Sequence, residues 1–294
     1  MLGFIGSRDV RPSSIAGSWY PGRREQLQTT VDDLMDRAAR PLLPGKVVGL
    51  VSPHAGYPYS GAIAAHAYAQ IRGASYDTVV LLGPDHRGIC GAYGISAYKH
   101  FQTPLGTVEV DLPLVERLQK RLAIDRIEDE EEHSLEIQLP FLQRALGTFS
   151  LLPIMMGYPL MPRVGHTAWK ACEMLSNALI EVLADRQNVL VVASTDLSHL
   201  YSYHEVVEHD QVFMTLIQEL DPQRLADALI AGECQACGGA PVVTMMMTVK
   251  ARGADKVTVL AYANSGDVTG NRVVGNYTVG YAAIALTATQ PLRA

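Results

Sequence analysis

Two histidines in this chain share a local design that suits metal binding. His54 lies in "VVGLVSPHAGYPYSG", residues 47–61, and His86 in "VVLLGPDHRG", residues 79–88. Each follows a short apolar run and a proline. Neutral imidazole is the commonest protein ligand for a metal, and a strand end holds it still. A single such histidine is more often satisfied by loop hydrogen bonds. The matched pair points to a common target.

Cys234 and Cys237 form a C-x-x-C pair in "ECQACGGAPVV", and the chain has no second pair. A zinc site built from two such pairs is therefore excluded within it. Pro241 suits the first turn of a following helix, which puts Cys237 just before a helix N-terminus, where the backbone dipole favours thiolate. Cys234, Cys90 and Cys172 read as structural apolar residues. Asp196 and His199 stand three apart in "STDLSHL". If a helix begins there, both share one face, and the carboxylate raises the basicity of the imidazole and fixes its tautomer. The plain alternative is a helix cap, since Ser, Thr and Asp all cap well. "EDEEEHSLEIQLPFL" reads as a solvated acidic surface in which His133 and Glu136 could share a face, with a bend at Pro140. His66, His100, His166, His204 and His209 have no context that sets them apart.

These residues need a frame. "KVVGLVSP" and "TVVLLGP" read as buried strands flanking a helix over residues 60–72, a βαβ unit that implies parallel strands covered on both faces. Further helices are expected at 24–39, 112–122 (capped by Asp111), from "EDEEEHS" to Leu146, and at 168–185, 204–219, 222–231 and 241–252. Short strands are expected around "TPLG", with longer ones at "FSLLPIMMG", "NVLVVAST", "VTVLAYANS" and "VVGNYTVGYAAIAL". This pattern predicts one α/β domain around a mixed sheet. In open α/β sheets ligands bind beyond the carboxyl ends of the strands. His54, His86, Asp196 with His199, and Ser265 with Asp267 all follow such ends.

The chain has 294 residues, 48% hydrophobic and 18% charged, with a net charge of −6. That describes an ordinary globule with a generous core, able to bury roughly three quarters of the unfolded surface. No basic run favours nucleic acid or an anionic membrane, and no apolar run reaches the ~20 residues of a membrane span. The first residues lack a signal-peptide pattern, so a cytoplasmic protein is expected. Four cysteines in a chain this long make no disulfide framework.

The segments "VRPSSIAGSWYPG", "SPHAGYPYSG", "LGPDH", "TPLG", "EHSLEIQLPFL", "STDLSH", "CGGAP" and "SGDVTGN" occur in the order seen in the Memo family, whose bacterial and archaeal members are called AmmeMemoRadiSam system protein B. The resemblance spans nearly the whole chain. It implies a single Memo-like domain over 1–294 with the fold of class III extradiol dioxygenases, a three-layer α/β/α sandwich around a mixed, largely parallel sheet. It also implies a metal site of His54, His86 and Cys237, with Asp196 and His199 beside it and His199 as the acid–base group. Tyr57 and Trp19 would be pocket walls, and His133 and Asp267 further pocket residues. The dioxygenases hold Fe(II) with two histidines and a carboxylate, whereas here a cysteine takes the carboxylate's place, so ring cleavage does not carry over. The resemblance thus implies a non-haem iron(II), or else copper, redox enzyme. A zinc hydrolase and a non-enzymatic peptide-binding module using the same pocket are the alternatives. Its substrate, small molecule or peptide, is unnamed, and a radical-SAM protein and an AMMECR-type protein are the implied partners.

Overall fold

A computed structural model describes residues 9–128, 130–162 and 164–291. In chain order, strand β1 (Val10–Arg11) precedes helix α1 (Arg24–Arg37), strand β2 (Lys46–Ser52), a π-helical turn over Tyr57–Gly61 and helix α2 (Ala62–Ala69). Then come β3 (Thr78–Pro84), β4 (Tyr93–Ser96), β5 (His100–Thr103), β6 (Gly106–Val110), α3 (Leu112–Gln119) and β7 (Asp125–Ile127). A broken helix, α4 (His133–Glu136) and α5 (Leu139–Leu146), leads to β8 (Ser150–Met156), α6 (Gly165–Val182), β9 (Val189–Ser194) and β10 (His199–Leu200). The remainder is α7 (Tyr203–Gln218), α8 (Pro222–Ala231), α9 (Gly239–Ala251), β11 (Lys256–Asn264), α10 (Ser265–Thr269) and β12 (Thr278–Ala288).

Local chemistry sets several of these limits. Asp111 caps α3 by accepting from the Leu114 amide, and Asp221 caps α8 by accepting from Gln223 and Arg224. Helix α8 ends on Gly232 at φ 78°, a left-handed position that suits glycine. The expected bend at Pro140 is the gap between α4 and α5: proline has no N–H for the Glu136 carbonyl. One expectation fails. The segment after β9 starts no helix; residues 195–198 run irregularly into β10, which pairs with β12.

The strand order runs β1-β5-β6-β8-β3-β9-β2-β12-β10. Within it, β6, β8, β3, β9 and β2 are mutually parallel, while β12 joins β2 antiparallel and β11 joins β12 antiparallel. All seven residues of β3 are buried, as a strand covered on both faces requires. Helix α9, with α6 and α8 against it, covers one face; α2, with α1 and α5, covers the other. The molecule is therefore a three-layer α/β/α sandwich.

The acidic run around residue 131 is only partly a solvated surface. Glu128 and Glu131 face solvent, but Glu130, Glu132 and Glu136 are buried. What makes burial tolerable is Arg11, itself fully buried on β1. Its guanidinium donates to both Glu130 oxygens, at 2.5 and 2.9 Å, to Glu136 Oε2 at 2.5 Å and to the Glu132 carbonyl at 2.9 Å. Ser13, the Ser14 amide and Tyr20 also donate to Glu136. Burial works against the Glu136 charge, but Arg11 and these donors outweigh it and hold the carboxyl below its usual range.

Replacing Arg11 with Met would leave two buried carboxylates without their counter-charge, which costs roughly 3–5 kcal/mol. Urea unfolding at pH 7 should show a midpoint lowered to match, with the deficit shrinking toward pH 5 as the stranded carboxyls take up protons. An unchanged midpoint would mean that the clamp is energetically idle.

Candidate metal centre

Three neighbouring parallel strands, β3, β9 and β2, end side by side. Each delivers a polar residue two positions past its end: His86 after Pro84, Asp196 after Ser194 and His54 after Ser52. The fourth contributor, Cys237, comes from the turn between α8 and α9, which folds over the end of β9. The Cys237 amide donates to the Asp196 carbonyl at 3.2 Å, and the Gly238 amide to Thr195 Oγ1 at 2.8 Å. A Cβ on Gly238 would lie 2.3 Å from the Ser194 carbonyl oxygen, so only glycine lets the turn come this close.

One donor atom each from His54, His86 and Cys237 lie within 4.8 Å of one another. Cys237 Sγ is 3.0 Å from His54 Nε2, and the two imidazole rings stand edge to face with centroids 5.0 Å apart. His54 is buried, whereas His86 keeps 32% of its side chain exposed, so the site opens to solvent on that side.

The hydrogen bonds fix which ring nitrogens are free. Ser194 Oγ donates its one proton to the Ser134 carbonyl at 2.6 Å, so it can only accept from His54 Nδ1, at 3.0 Å. Glu132 Oε1, an ionised acceptor, takes the Nδ1 proton of His86 at 2.9 Å, and the His133 Nδ1 lies 3.2 Å from the same oxygen. The Leu197 carbonyl, which cannot donate, takes that of His199 at 2.9 Å. His54, His86 and His199 are therefore each anchored through Nδ1, which leaves Nε2 as the atom available to a ligand. This is the tautomer that outer hydrogen-bond partners impose on metal-binding histidines.

Electrostatics agree. Burial, reinforced by His86 and His133, pushes the His54 pKa well down, so its ring is neutral, the form that binds metal. Burial also lowers His133, to about 4, against the pull of Glu132. For Glu132 burial works upward, but the His86 hydrogen bond and the neighbouring His133 prevail and hold the carboxyl at about 2. The expectation for Cys237 is corrected. It does sit before a helix N-terminus, but burial and the nearby Asp196 push the thiol up, outweighing the amide donors. The sulfur has two acceptors within reach of a thiol proton, His54 Nε2 at 3.0 Å and the Asp196 carbonyl at 3.5 Å. The set nonetheless fits a cation: two imidazoles anchored through Nδ1, one ionisable sulfur and an open side. Binding would release the thiol proton.

Other expected site residues fall in mixed places. Asp196 does not orient His199. Its Oδ1 accepts from the backbone amides of His54, at 2.7 Å, and Ala55, at 3.3 Å, and so sets the loop that carries the first histidine. The failed helix is the reason, since without it residues 196 and 199 do not share a face. His199 lines the same small cavity as Cys237, so the two are close. Trp19 packs on His133 at 4.4 Å, and His133 stacks on His86 at 4.6 Å, so both border the site. Tyr57 is buried among Tyr20 and Phe141 with its hydroxyl on the Ile137 carbonyl, which makes it core beneath the site. Asp267 spends its bonds on the Asn264 amide, Tyr203 and Arg272, closing a capping box on α10. A cavity of about 660 Å³ lies at the opposite end of the sheet by Asp77 and Ser150 and holds none of these residues.

Sequence reasoning missed Glu132 and Ser194, the acceptors that set the tautomers, and Gln138, which links Ser194 to the Pro53 carbonyl. The signal for Glu132 was present, a glutamate directly before His133, but it was hidden inside an acidic run.

The sequence matches the family model described as Memo-like protein over residues 11–285. A MEMO1 family protein of Methanosarcina mazei is 34% identical over 278 residues, covering 94% of this chain and 98% of the relative. One from Aeropyrum pernix is 35% identical over 292 residues, covering 94% and 99%. One from Thermotoga maritima is 35% identical over 283 residues, covering 90% and 97%.

Burial raises the Asp196 carboxyl to about 7 against the pull of the two amides. A raised folded pKa means that the neutral form stabilises the fold and that this contribution is lost as pH rises through about 7. Asp196→Asn keeps the acceptor and removes the charge. Without metal, the variant should melt like the parent near pH 3.8 and gain on it as pH rises to about 7, being more stable above pH 8 by on the order of 4 kcal/mol. Parallel pH–melting curves for the two proteins would show that Asp196 is ionised throughout.

Proposed function

The chain belongs to the Memo family, which shares the fold of class III extradiol dioxygenases, and on that premise we propose that it is a metal-dependent oxidoreductase with a His54–His86–Cys237 centre. The observation that carries the reading is the convergence of three donor atoms within 4.8 Å, with both imidazoles held in the ligating tautomer. Iron(II) is the first assignment and copper the second. Two imidazoles and one thiolate make a soft, electron-donating set, and iron or copper bound there would supply one-electron redox chemistry.

The chain's own residues supply the rest. His199, its Nδ1 held by the Leu197 carbonyl, offers a bare Nε2 to take a proton from a substrate hydroxyl. Burial lowers its pKa, so it is the neutral base at pH 7. Glu132 holds His86 in place and Asp196 sets the His54 loop, while Trp19 and His133 wall the open side. No helix among the described residues is long and apolar enough to cross a membrane. We place the protein in the cytoplasm, with a radical-SAM protein and an AMMECR-type protein as proposed partners.

Protein purified without oxygen should hold one iron or copper per chain. Glu132→Gln should weaken binding by roughly 10–100-fold, the usual cost of losing an outer hydrogen-bond partner, and Cys237→Ala by more. Metal analysis and calorimetric titration measure both. Undiminished affinity in the Cys237→Ala variant would refute the ligand set. One colourless, oxygen-insensitive zinc per chain would turn the reading to a hydrolase in which His199 activates water. A metal-free protein with a saturable peptide site would make it a binding module.

A further inference from the structure

A cavity of about 310 Å³ opens beside the candidate centre, between the loop after β8 and the turn that carries Cys237. Leu160, Leu197, Leu229 and Ala236 wall it, and His199 and Cys237 complete the wall toward the chemistry. The three leucines are at most 4% exposed and belong to the core, so they form a fixed wall. Pro159, Pro162 and the 44% exposed Met161 add apolar surface, and Cys234 and Gln235 add the other polar side chains of the lining. The volume is at the lower end of small-molecule sites, which run from about 300 to 1,000 Å³.

We propose that this cavity is the substrate's seat, and that the substrate class is a small molecule with an apolar body and one hydroxyl or carbonyl head directed at His199 Nε2. The inference rests on the reading of the centre as reactive and names the kind of molecule it acts on. The lining decides the class. Leucine, alanine and proline side chains offer no hydrogen bonds, so a sugar, nucleotide or phosphate placed here would leave its polar groups unpaired, which is costly. An aliphatic or single-ring body of five to seven carbons, by contrast, loses only its own hydration. His199 can meet one polar group at this end, because its Nδ1 is already committed to the Leu197 carbonyl at 2.9 Å. Cavity and centre share Cys237 and His199, so a molecule lodged by its apolar end brings its head to the donor atoms without a conformational change.

The probes are the primary alcohols from butanol to octanol, with glycerol as the polar control, titrated into the metal-free full-length chain and followed by methyl resonances of Leu160 and Leu229. Affinity should rise about fourfold per added methylene and level off within the series when the cavity is full. Glycerol should not bind. Ala236→Phe, which fills the cavity, should weaken hexanol binding at least tenfold. Should that variant fail to fold, Leu160→Ala serves instead, and the levelling-off should move to a longer alcohol. His54→Ala, which removes a proposed metal ligand, should leave the alcohol series unchanged, so the cavity is tested apart from the metal. Affinity independent of chain length, resonance shifts confined to other methyls, or undiminished binding in Ala236→Phe would overturn the proposal.

Discussion

The centre depends on one repeated interaction: the Nδ1 proton of each imidazole is given to an acceptor that cannot return one. A carbonyl, an ionised carboxylate and a serine whose own proton is already committed do this for His199, His86 and His54 respectively. A free imidazole divides its time between two tautomers and many orientations. Here both choices are removed before any ligand arrives, so the ordering cost falls on folding rather than on binding. One donor atom each of His54 and His86, beyond the ends of β2 and β3, lie within 4.8 Å of each other and of the Cys237 sulfur.

The sheet makes this possible because its central strands are parallel and end together. Neighbouring parallel strands keep a constant separation, so equal offsets past their ends place side chains side by side. The cysteine cannot come from the same layer and arrives from above, which demands the bare backbone of Gly238. Behind the histidines a second tier of buried polar groups, Arg11 with Glu130 and Glu136, holds the segment that carries Glu132. A buried ion pair is weak evidence for stability, but it can fix one arrangement among many. Here the arrangement it fixes is the one that aims His86.

Strand-end histidines were legible because an apolar run followed by proline is a local signal, and the helix cap at Asp111 was legible because it too is local. Cys237 could be picked out by its place before a helix, though the accompanying argument about its charge failed, because burial is a tertiary property that spacing does not encode. Asp196 misled for a related reason. Its type suits a cap or a partner for His199, yet the backbone it serves lies 142 residues away in sequence. The acidic run was misread because its counter-charge, Arg11, is 119 residues from Glu130 and no local pattern links them.

Those long separations have a consequence for what the site is. From His54 to Cys237 the donors span 183 residues, and the clamp that supports His86 reaches back to β1. No excised peptide could reproduce the constellation, and neither could an isolated β-α-β fragment. A capacity to seize an ion there would therefore be a certificate of completed assembly: a chain caught partway through its folding would carry the same atoms and lack the grip.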